Sequence, residues 1–153
     1  MKIRAFTLIE TLLFVVGFSI LIVIAFPVLR LLLTANYLNI ATTEIVQSLR
    51  QAQTSAINGA GDSRWGVFFD TSNNKFIFFK GDNFLNRIQS YDLATELPKS
   101  VVFKNINLNG GGSEIVFEKI SGQINQYGSL SISGLNHETK NIVINEYGSI
   151  EIE

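Results

Sequence analysis

The sequence predicts an α+β protein, in which a long N-terminal helix packs on a small antiparallel β-sheet or sandwich domain. Three observations predict this fold class. The chain opens with an apolar run that carries no charged residue between Glu10 and Arg30. A second apolar pattern, from Leu38 to Ala56, recurs at helical spacing. After Gly61, short alternating apolar and polar runs are separated by turn-forming residues, which is typical of strands.

The first apolar run is long enough to cross a bilayer as a helix. We expect a leader peptide at 1–5, a long helix over 6–58 with its transmembrane segment at about 11–33, and a β-rich domain over 59–153. The second half of this helix is amphipathic, because its apolar residues advance by three or four positions along one face. They are Leu38, Ala41, Ile45, Leu49, Ala52 and Ala56. The run NGAGD at 58–62 supplies the stop, since glycine readily adopts the left-handed cap conformation.

Eight runs predict strands, at 65–70, 75–80, 87–91, 100–104, 114–119, 129–133, 141–145 and 149–152. The first two form a hairpin around the turn at 71–74. In the second strand of this hairpin, Phe76 and Phe78 share one face, and Ile77 and Phe79 share the other, so both faces are apolar. We expect one face to pack on the helix and the other on a second sheet. The alternative is that part of the hairpin contacts a neighbouring subunit.

Residues 125–132, with the sequence NQYGSLSI, resemble residues 145–152, with the sequence NEYGSIEI. Each copy places turn residues ending in glycine before an alternating strand. We interpret the copies as two hairpins with the same turn chemistry, because a repeat array needs at least about three units.

Glu10 is the acid at the start of the apolar run. A carboxylate at the centre of a bilayer costs about 2.5–3.5 kcal/mol on insertion scales, so intramembrane acids usually have a functional partner. A plain single-span anchor would explain the apolar run and the basic residues Lys2 and Arg4, but not Glu10. A secretory signal peptide would have a shorter apolar region followed by a cleavage site of small residues, and neither feature is present.

The N-terminus resembles the type IV pilin and pseudopilin family, in which a small residue precedes the string FTLIE and an apolar helix. Here Ala5 precedes that string, which runs from Phe6 to Glu10. The resemblance implies that a prepilin peptidase cuts the Ala5–Phe6 bond, that the new amine of Phe6 is methylated, and that Glu10 is the assembly acid. The family usually has glycine where this chain has Ala5, which predicts slower processing. Pro27 falls where many pilins carry a proline that bends the helix.

The resemblance also implies partners and a location. The partners are the prepilin peptidase, other pilin or pseudopilin subunits through the N-terminal helix, an inner-membrane assembly platform and membrane lipid. The chain would cross the bacterial inner membrane once and later enter an extracytoplasmic filament. Since basic residues stay on the cytoplasmic side, Lys2 and Arg4 predict a cytoplasmic N-terminus and an exported C-terminal domain.

Later stretches resemble the H-type minor pseudopilins of type II secretion systems and their minor-pilin relatives. They are LRQAQTSAI at 49–57, WGVFF at 65–69, IVIN at 142–145 and GSI at 148–150. In that family the helix is followed by a β-sandwich. The resemblance favours a minor subunit that primes or caps a filament in secretion, adhesion or DNA uptake. The alternatives are a major pilin of the shaft and a pilus-tip subunit for DNA uptake or adhesion.

The composition gives no support for catalysis, a metal or a cofactor, so we expect a structural protein and not an enzyme. The absence of cysteine excludes thiol catalysis, thiolate metal sites and disulfides. His137, the one histidine, lies in a turn-like stretch and is typical of a solvated loop residue. The aspartates do not have the spacing of a calcium loop. The glycines at 110–112 lack the lysine of a phosphate loop.

The charge of the chain does not indicate a nucleic-acid partner. The formal net charge is −1, and loss of Lys2 and Arg4 with the leader would make it −3. Nucleic-acid affinity depends mainly on basic side chains that neutralise phosphates. The acidic ending, with Glu151 and Glu153, also argues against a DNA receptor.

Overall fold

A computed structural model describes residues 7–135 and 137–153, without the side chains of residues 27–35. The chain divides into two compact units, and the boundary lies between Leu33 and Thr34. We call residues up to Leu33 the N-terminal unit and Thr34–Glu153 the head. The α-helix α1, Leu8–Ile57, supplies the described part of the N-terminal unit except Thr7, and it is also the first element of the head.

In the N-terminal unit, α1 is apolar on all sides. The segment Leu8–Phe26 is long and apolar enough to cross a membrane, and none of it is buried. A helix with an apolar surface all round is stable only in an apolar medium or in a large protein core.

In the head, α1 buries one stripe of side chains. The buried apolar residues are Leu38, Ala41, Ile45, Val46, Leu49, Ala52 and Ala56, which include every position of the predicted apolar face. Three of the seven are alanines, whose small side chains let the helix backbone approach the sheets closely. The helix ends at Ile57, and Gly59 follows in the left-handed conformation with φ 61°. The Gly59 N–H donates to the Ala56 carbonyl at 3.0 Å and closes the last turn.

Within the described residues, eight strands follow the helix. They are β1 Trp65–Asp70, β2 Lys75–Lys80, β3 Leu93–Glu96, β4 Val101–Leu108, β5 Glu114–Phe117, β6 Gly128–Gly134, β7 Thr139–Ile144 and β8 Ile150–Ile152. They form two antiparallel sheets of four strands, with the orders β3-β2-β1-β5 and β4-β6-β7-β8. The predicted α+β class, with an amphipathic helix packed on antiparallel sheets, is therefore confirmed.

Apart from Ile77 and Phe79, the buried apolar residues of the helix and of both sheets form a single core. The predicted hairpin is present, with Phe69 of β1 opposite Phe76 of β2. Phe69 also meets Phe103 of β4 edge-on, with ring centroids 6.0 Å apart. The helix and the second sheet thus pack on the same face of the first sheet, the face that carries Phe76 and Phe78.

The opposite face of the first sheet corrects one expectation. Ile77 and Phe79 are buried, but they lie outside the main core and do not pack on the second sheet. Residues 81–92, which connect β2 to β3 and which we call the outer loop, cover this face. The Phe84 ring stacks on Phe68 with centroids 3.9 Å apart and meets Phe79 edge-on at 5.7 Å. The outer loop therefore covers the face that we expected the second sheet to cover.

The predicted strand at 87–91 is wrong, since this segment belongs to the outer loop and ends in a 3₁₀ turn, Gln89–Tyr91. Arg87 explains the difference. Its Nε donates to Asp92 Oδ2 and its Nη1 donates to the Phe84 carbonyl, both at 2.7 Å, so the segment folds on itself. The strand that pairs with the other side of β2 is β3, which was not predicted from the sequence.

The two similar segments do not form equivalent turns, so the interpretation as two matched hairpins is wrong. The second copy makes the β7–β8 turn, where Asn145 Oδ1 accepts the N–H groups of Tyr147 and Ser149. In the first copy, Gly128 already lies in β6 opposite Leu108 of β4. A Cβ there would lie 2.1 Å from the Asn107 carbonyl oxygen, so Gly128 serves close strand approach and not a hairpin turn.

Candidate assembly site at the start of the helix

The first turn of α1 places Glu10 in a defined position. The Glu10 N–H donates to the Thr7 carbonyl at 3.1 Å and lies 3.3 Å from the Thr7 hydroxyl oxygen. Thr7 precedes the helix and Glu10 is its third residue, which is the Thr-x-x-Glu spacing of a capping box, and the hydrogen bond to the Thr7 hydroxyl is one half of that motif. A carboxylate here also faces the positive end of the helix dipole. The fold therefore stabilises the helix start and fixes where the acid leaves the helix.

The surroundings of Glu10 are apolar and open. Every described side chain from 7 to 26 is exposed, and Glu10 is the one charged residue among them. The polar Thr11 and Ser19 hydroxyls donate to backbone carbonyls one turn earlier, Leu8 at 2.9 Å and Val15 at 2.8 Å. These hydroxyls are satisfied within the helix, whereas the described residues offer the Glu10 carboxylate no cation.

Gly17 leaves an unfilled notch on the same helix. A Cβ built at this position would meet no atom within 4 Å. Small residues on a membrane helix let a second helix approach closely, because lipid gives no hydrophobic drive for association. Neither Thr7 nor Gly17 was singled out from the sequence. The Thr-x-x-Glu spacing would have identified Thr7, while glycine in an apolar helix is too common to identify Gly17.

The other predicted site residues are described only in part. Ala5 and Phe6, the proposed cleavage bond, lie outside the described residues. Pro27 lies within the bounds of α1, and its side chain is outside the described residues.

In the head, charged side chains line an open pocket of about 230 Å³ beside β1 and β5. Arg64 Nε donates to Glu118 Oε2 at 2.8 Å, and its Nη1 lies 3.7 Å from Asp82 Oδ1. Asn125 Nδ2 donates to the second oxygen of Glu118 at 3.2 Å. Glu114 accepts the Phe84 N–H at 2.7 Å. These bonds tie loops to the sheet, so the arrangement is structural.

The described residues contain no cluster of three or more His, Cys, Asp or Glu side chains that could hold a metal ion. His137 is exposed in the turn between β6 and β7, with φ 64° and its N–H donating to Gly134. At the helix end, hydrogen bonding to Lys119 and its positive charge hold the pKa of Asp62 below its usual value.

The end of α1 is locked to two loops of the head. Gln53 Nε2 donates to the carbonyls of Gly148, at 3.0 Å, and Gly122, at 3.5 Å. The Ile120 N–H donates to the Ala56 carbonyl at 3.0 Å, which satisfies one acceptor of the last helical turn.

The fold matches a known structure. It is similar to the minor pseudopilin EpsH from the Type 2 Secretion System of Vibrio cholerae, with a TM-score of 0.56 and 15% sequence identity, over 76% of this chain and 95% of that chain. This chain has the pseudopilin fold. No protein-family model and no curated protein matches the sequence. The fold expected from the N-terminal resemblance is thus confirmed, although little sequence identity accompanies it.

Proposed function

We propose that the chain is a structural subunit of a type IV pilus or of a type II secretion pseudopilus, most closely a minor pilin or pseudopilin. Glu10 carries this proposal. It is the one charged residue between 7 and 26, it stands in the first turn of a helix able to cross a membrane, and its described neighbours leave it without a cation. The pseudopilin fold of the chain supports the same function.

In the proposed mechanism, a prepilin peptidase cleaves the Ala5–Phe6 bond and the new amine of Phe6 is methylated. Before assembly, the chain is a single-pass protein of the inner membrane, with its head on the extracytoplasmic side. The Glu10 carboxylate attracts the amine of Phe6 on a subunit that is already in the filament. Breaking such a pair in a low-dielectric bundle costs about 3–5 kcal/mol, because the remaining charge is left without a partner.

The capping box bears on this mechanism. A carboxylate that only capped the helix would be replaceable by an uncharged side chain that accepts hydrogen bonds. A carboxylate that pairs with an amine needs its charge. Glutamine at position 10 separates these roles, because it retains the acceptor and loses the charge.

The test compares Glu10→Gln and Glu10→Ala with Glu44→Ala, which removes a carboxylate from the same helix within the head. The full chain is expressed in cells that carry the assembly machinery. Mass spectrometry of the membrane fraction measures leader removal and methylation, and immunoblots of sheared filaments measure incorporation. We expect all three variants to be processed. Both Glu10 variants should be absent from filaments, whereas Glu44→Ala should be incorporated.

Normal incorporation of Glu10→Gln would contradict the charge-pairing role. An equal defect in Glu44→Ala would mean that the loss of any carboxylate from this helix impairs assembly. An intact leader on the wild-type chain would contradict processing at Ala5–Phe6.

The same filaments address the alternatives. A shaft-forming major pilin would dominate the sheared material, whereas a minor subunit would be scarce in it. The subunit for DNA uptake has less support, since the three carboxylates of the pocket beside β1 and β5 outnumber its one arginine. The proposed role needs no enzymatic activity.

A further inference from the structure

Two Asn-Gly pairs occur in the chain, and the structure places them in different surroundings. Asn58–Gly59 follows the last residue of α1, and Asn109–Gly110 lies between β4 and β5. In such a pair, the glycine backbone nitrogen can attack the asparagine side-chain carbonyl, because glycine has no Cβ to hinder the approach. The attack needs a nitrogen that is free of hydrogen bonds and a backbone that can rotate.

The first pair is held in place. The Asn58 N–H donates to the Thr54 carbonyl and the Gly59 N–H to the Ala56 carbonyl, both at 3.0 Å. The nitrogen that would attack is therefore engaged in the bond that closes the helix. Freeing it requires the last turn of α1 to open.

The second pair is open. Asn109 and Gly110 are exposed, and within the described residues neither the Gly110 nitrogen nor the Asn109 side chain has a hydrogen-bond partner. Gly110, Gly111 and Gly112 all have positive φ, at 88°, 75° and 98°. A Cβ built at Gly110 or Gly111 would meet no atom within 4 Å. Three glycines in open space resist rotation less than any other segment of the same length.

We propose that Asn109 is a site of spontaneous deamidation, and that the open turn between β4 and β5 makes deamidation faster at Asn109 than at Asn58. The Gly110 nitrogen attacks Cγ of Asn109 and loses its proton, while the side-chain nitrogen leaves as ammonia. Water then opens the resulting five-membered imide at one of its two carbonyls. One product is aspartate at position 109, and the other is isoaspartate, in which the backbone runs through Cβ. No atom is oxidised or reduced.

The product changes the connection between the two sheets. β4 is an edge strand of the second sheet and β5 is an edge strand of the first. Deamidation adds one negative charge to this connection, and the isoaspartate form lengthens it by one methylene. The Asn109 N–H donates to the carbonyl of Tyr127, the residue before β6, at 2.7 Å, so the change begins at a hydrogen bond that holds the turn beside β6.

The experiment compares both pairs in the same sample. Purified full-length chain in detergent is incubated in ¹⁸O-labelled water at neutral and at mildly alkaline pH, and tryptic peptides are mapped over time. Residues 105–119 form one tryptic peptide and 51–64 form another, so the two sites are measured separately. Asn105 and Asn107 in the first peptide are followed by Ile106 and Leu108 and serve as internal controls. Parallel samples contain denaturing urea, and a second chain carries Asn109→Gln.

We expect Asn109 to convert several-fold faster than Asn58 in the folded chain, to incorporate ¹⁸O, and to yield separable aspartate and isoaspartate peptides. In urea the two rates should converge, because both nitrogens are then free. Asn109→Gln should stop the conversion, since glutamine does not form the five-membered ring readily. Equal rates in the folded chain, faster conversion of Asn58, or a rate difference that persists in urea would each overturn the proposal.

Discussion

Leucines in the two parts of α1 have opposite surroundings. Leu21 in the N-terminal unit is 65% exposed, whereas Leu49 in the head is 0% exposed. The first segment is apolar on all sides and depends on an apolar medium supplied from outside. The second is apolar on one stripe and buries that stripe in its own head. The identity of a single apolar residue therefore does not distinguish an uncovered surface from a covered one, whereas the pattern of apolar residues around the helix does.

The strongest test of this comparison makes the same substitution, leucine to alanine, in both parts of the helix. Leu49→Ala should lower the free energy of unfolding of the head by about 2–5 kcal/mol, because it leaves a cavity in a packed core. Leu21→Ala should change it by less than about 0.5 kcal/mol, since Leu21 is 65% exposed and lies outside the head. Denaturant unfolding in detergent, followed by the fluorescence of Trp65, measures both. Similar losses for the two variants would contradict the division into an uncovered and a covered surface.

The outer loop offers a second test, on adjacent residues. The Phe84 ring lies between Phe68 and the Arg87 guanidinium, which sits 3.7 Å from the ring centroid, while Leu85 is 91% exposed. Phe84→Ala should destabilise the head by about 0.5–3 kcal/mol, and Leu85→Ala should be close to neutral. The same unfolding assay applies. A neutral Phe84→Ala would show that the outer face of the first sheet does not rely on this loop for its cover.

The features that were predicted correctly depend on local pattern. The buried stripe of α1 follows from helical spacing, and the β1–β2 hairpin follows from two apolar runs around a polar turn. Both signals lie within a few residues along the chain. The acid at position 10 was likewise found because it interrupts an apolar run.

The features that were missed depend on contacts between distant residues. Nothing near Phe84 in the sequence shows that its ring covers Phe68 or that its N–H is bound by Glu114, thirty residues away. The segment 87–91 looked like a strand because its composition allows one, and the Arg87–Asp92 pair decides otherwise. The similar segments 125–132 and 145–152 share turn residues but differ in which strands lie beside them, and strand neighbours are set by the fold.

Ile120 is an exposed apolar residue of the head in a strained backbone conformation, and it gives the finest test of the comparison. It is 71% exposed and has φ 71°, a conformation that is rare for a β-branched residue. Such a conformation costs about 1–3 kcal/mol in a residue other than glycine. Glycine at this position would relieve the strain and keep the N–H that donates to Ala56. Glycine also gains conformational freedom in the unfolded chain, which offsets part of this gain. We therefore expect Ile120→Gly to stabilise the head by about 1 kcal/mol.

Gly122, two residues later, is the matched control for this substitution. Its φ is also positive, at 65°, and a Cβ there would lie 2.7 Å from the Ile57 side chain. Gly122→Ala should therefore destabilise the head by more than about 1 kcal/mol, in the opposite direction to Ile120→Gly. The unfolding assay distinguishes the two signs. If Ile120→Gly instead lowered the free energy of unfolding, the packing of the isoleucine side chain would outweigh its backbone strain. In that case an exposed apolar residue could still be important for the stability of the head.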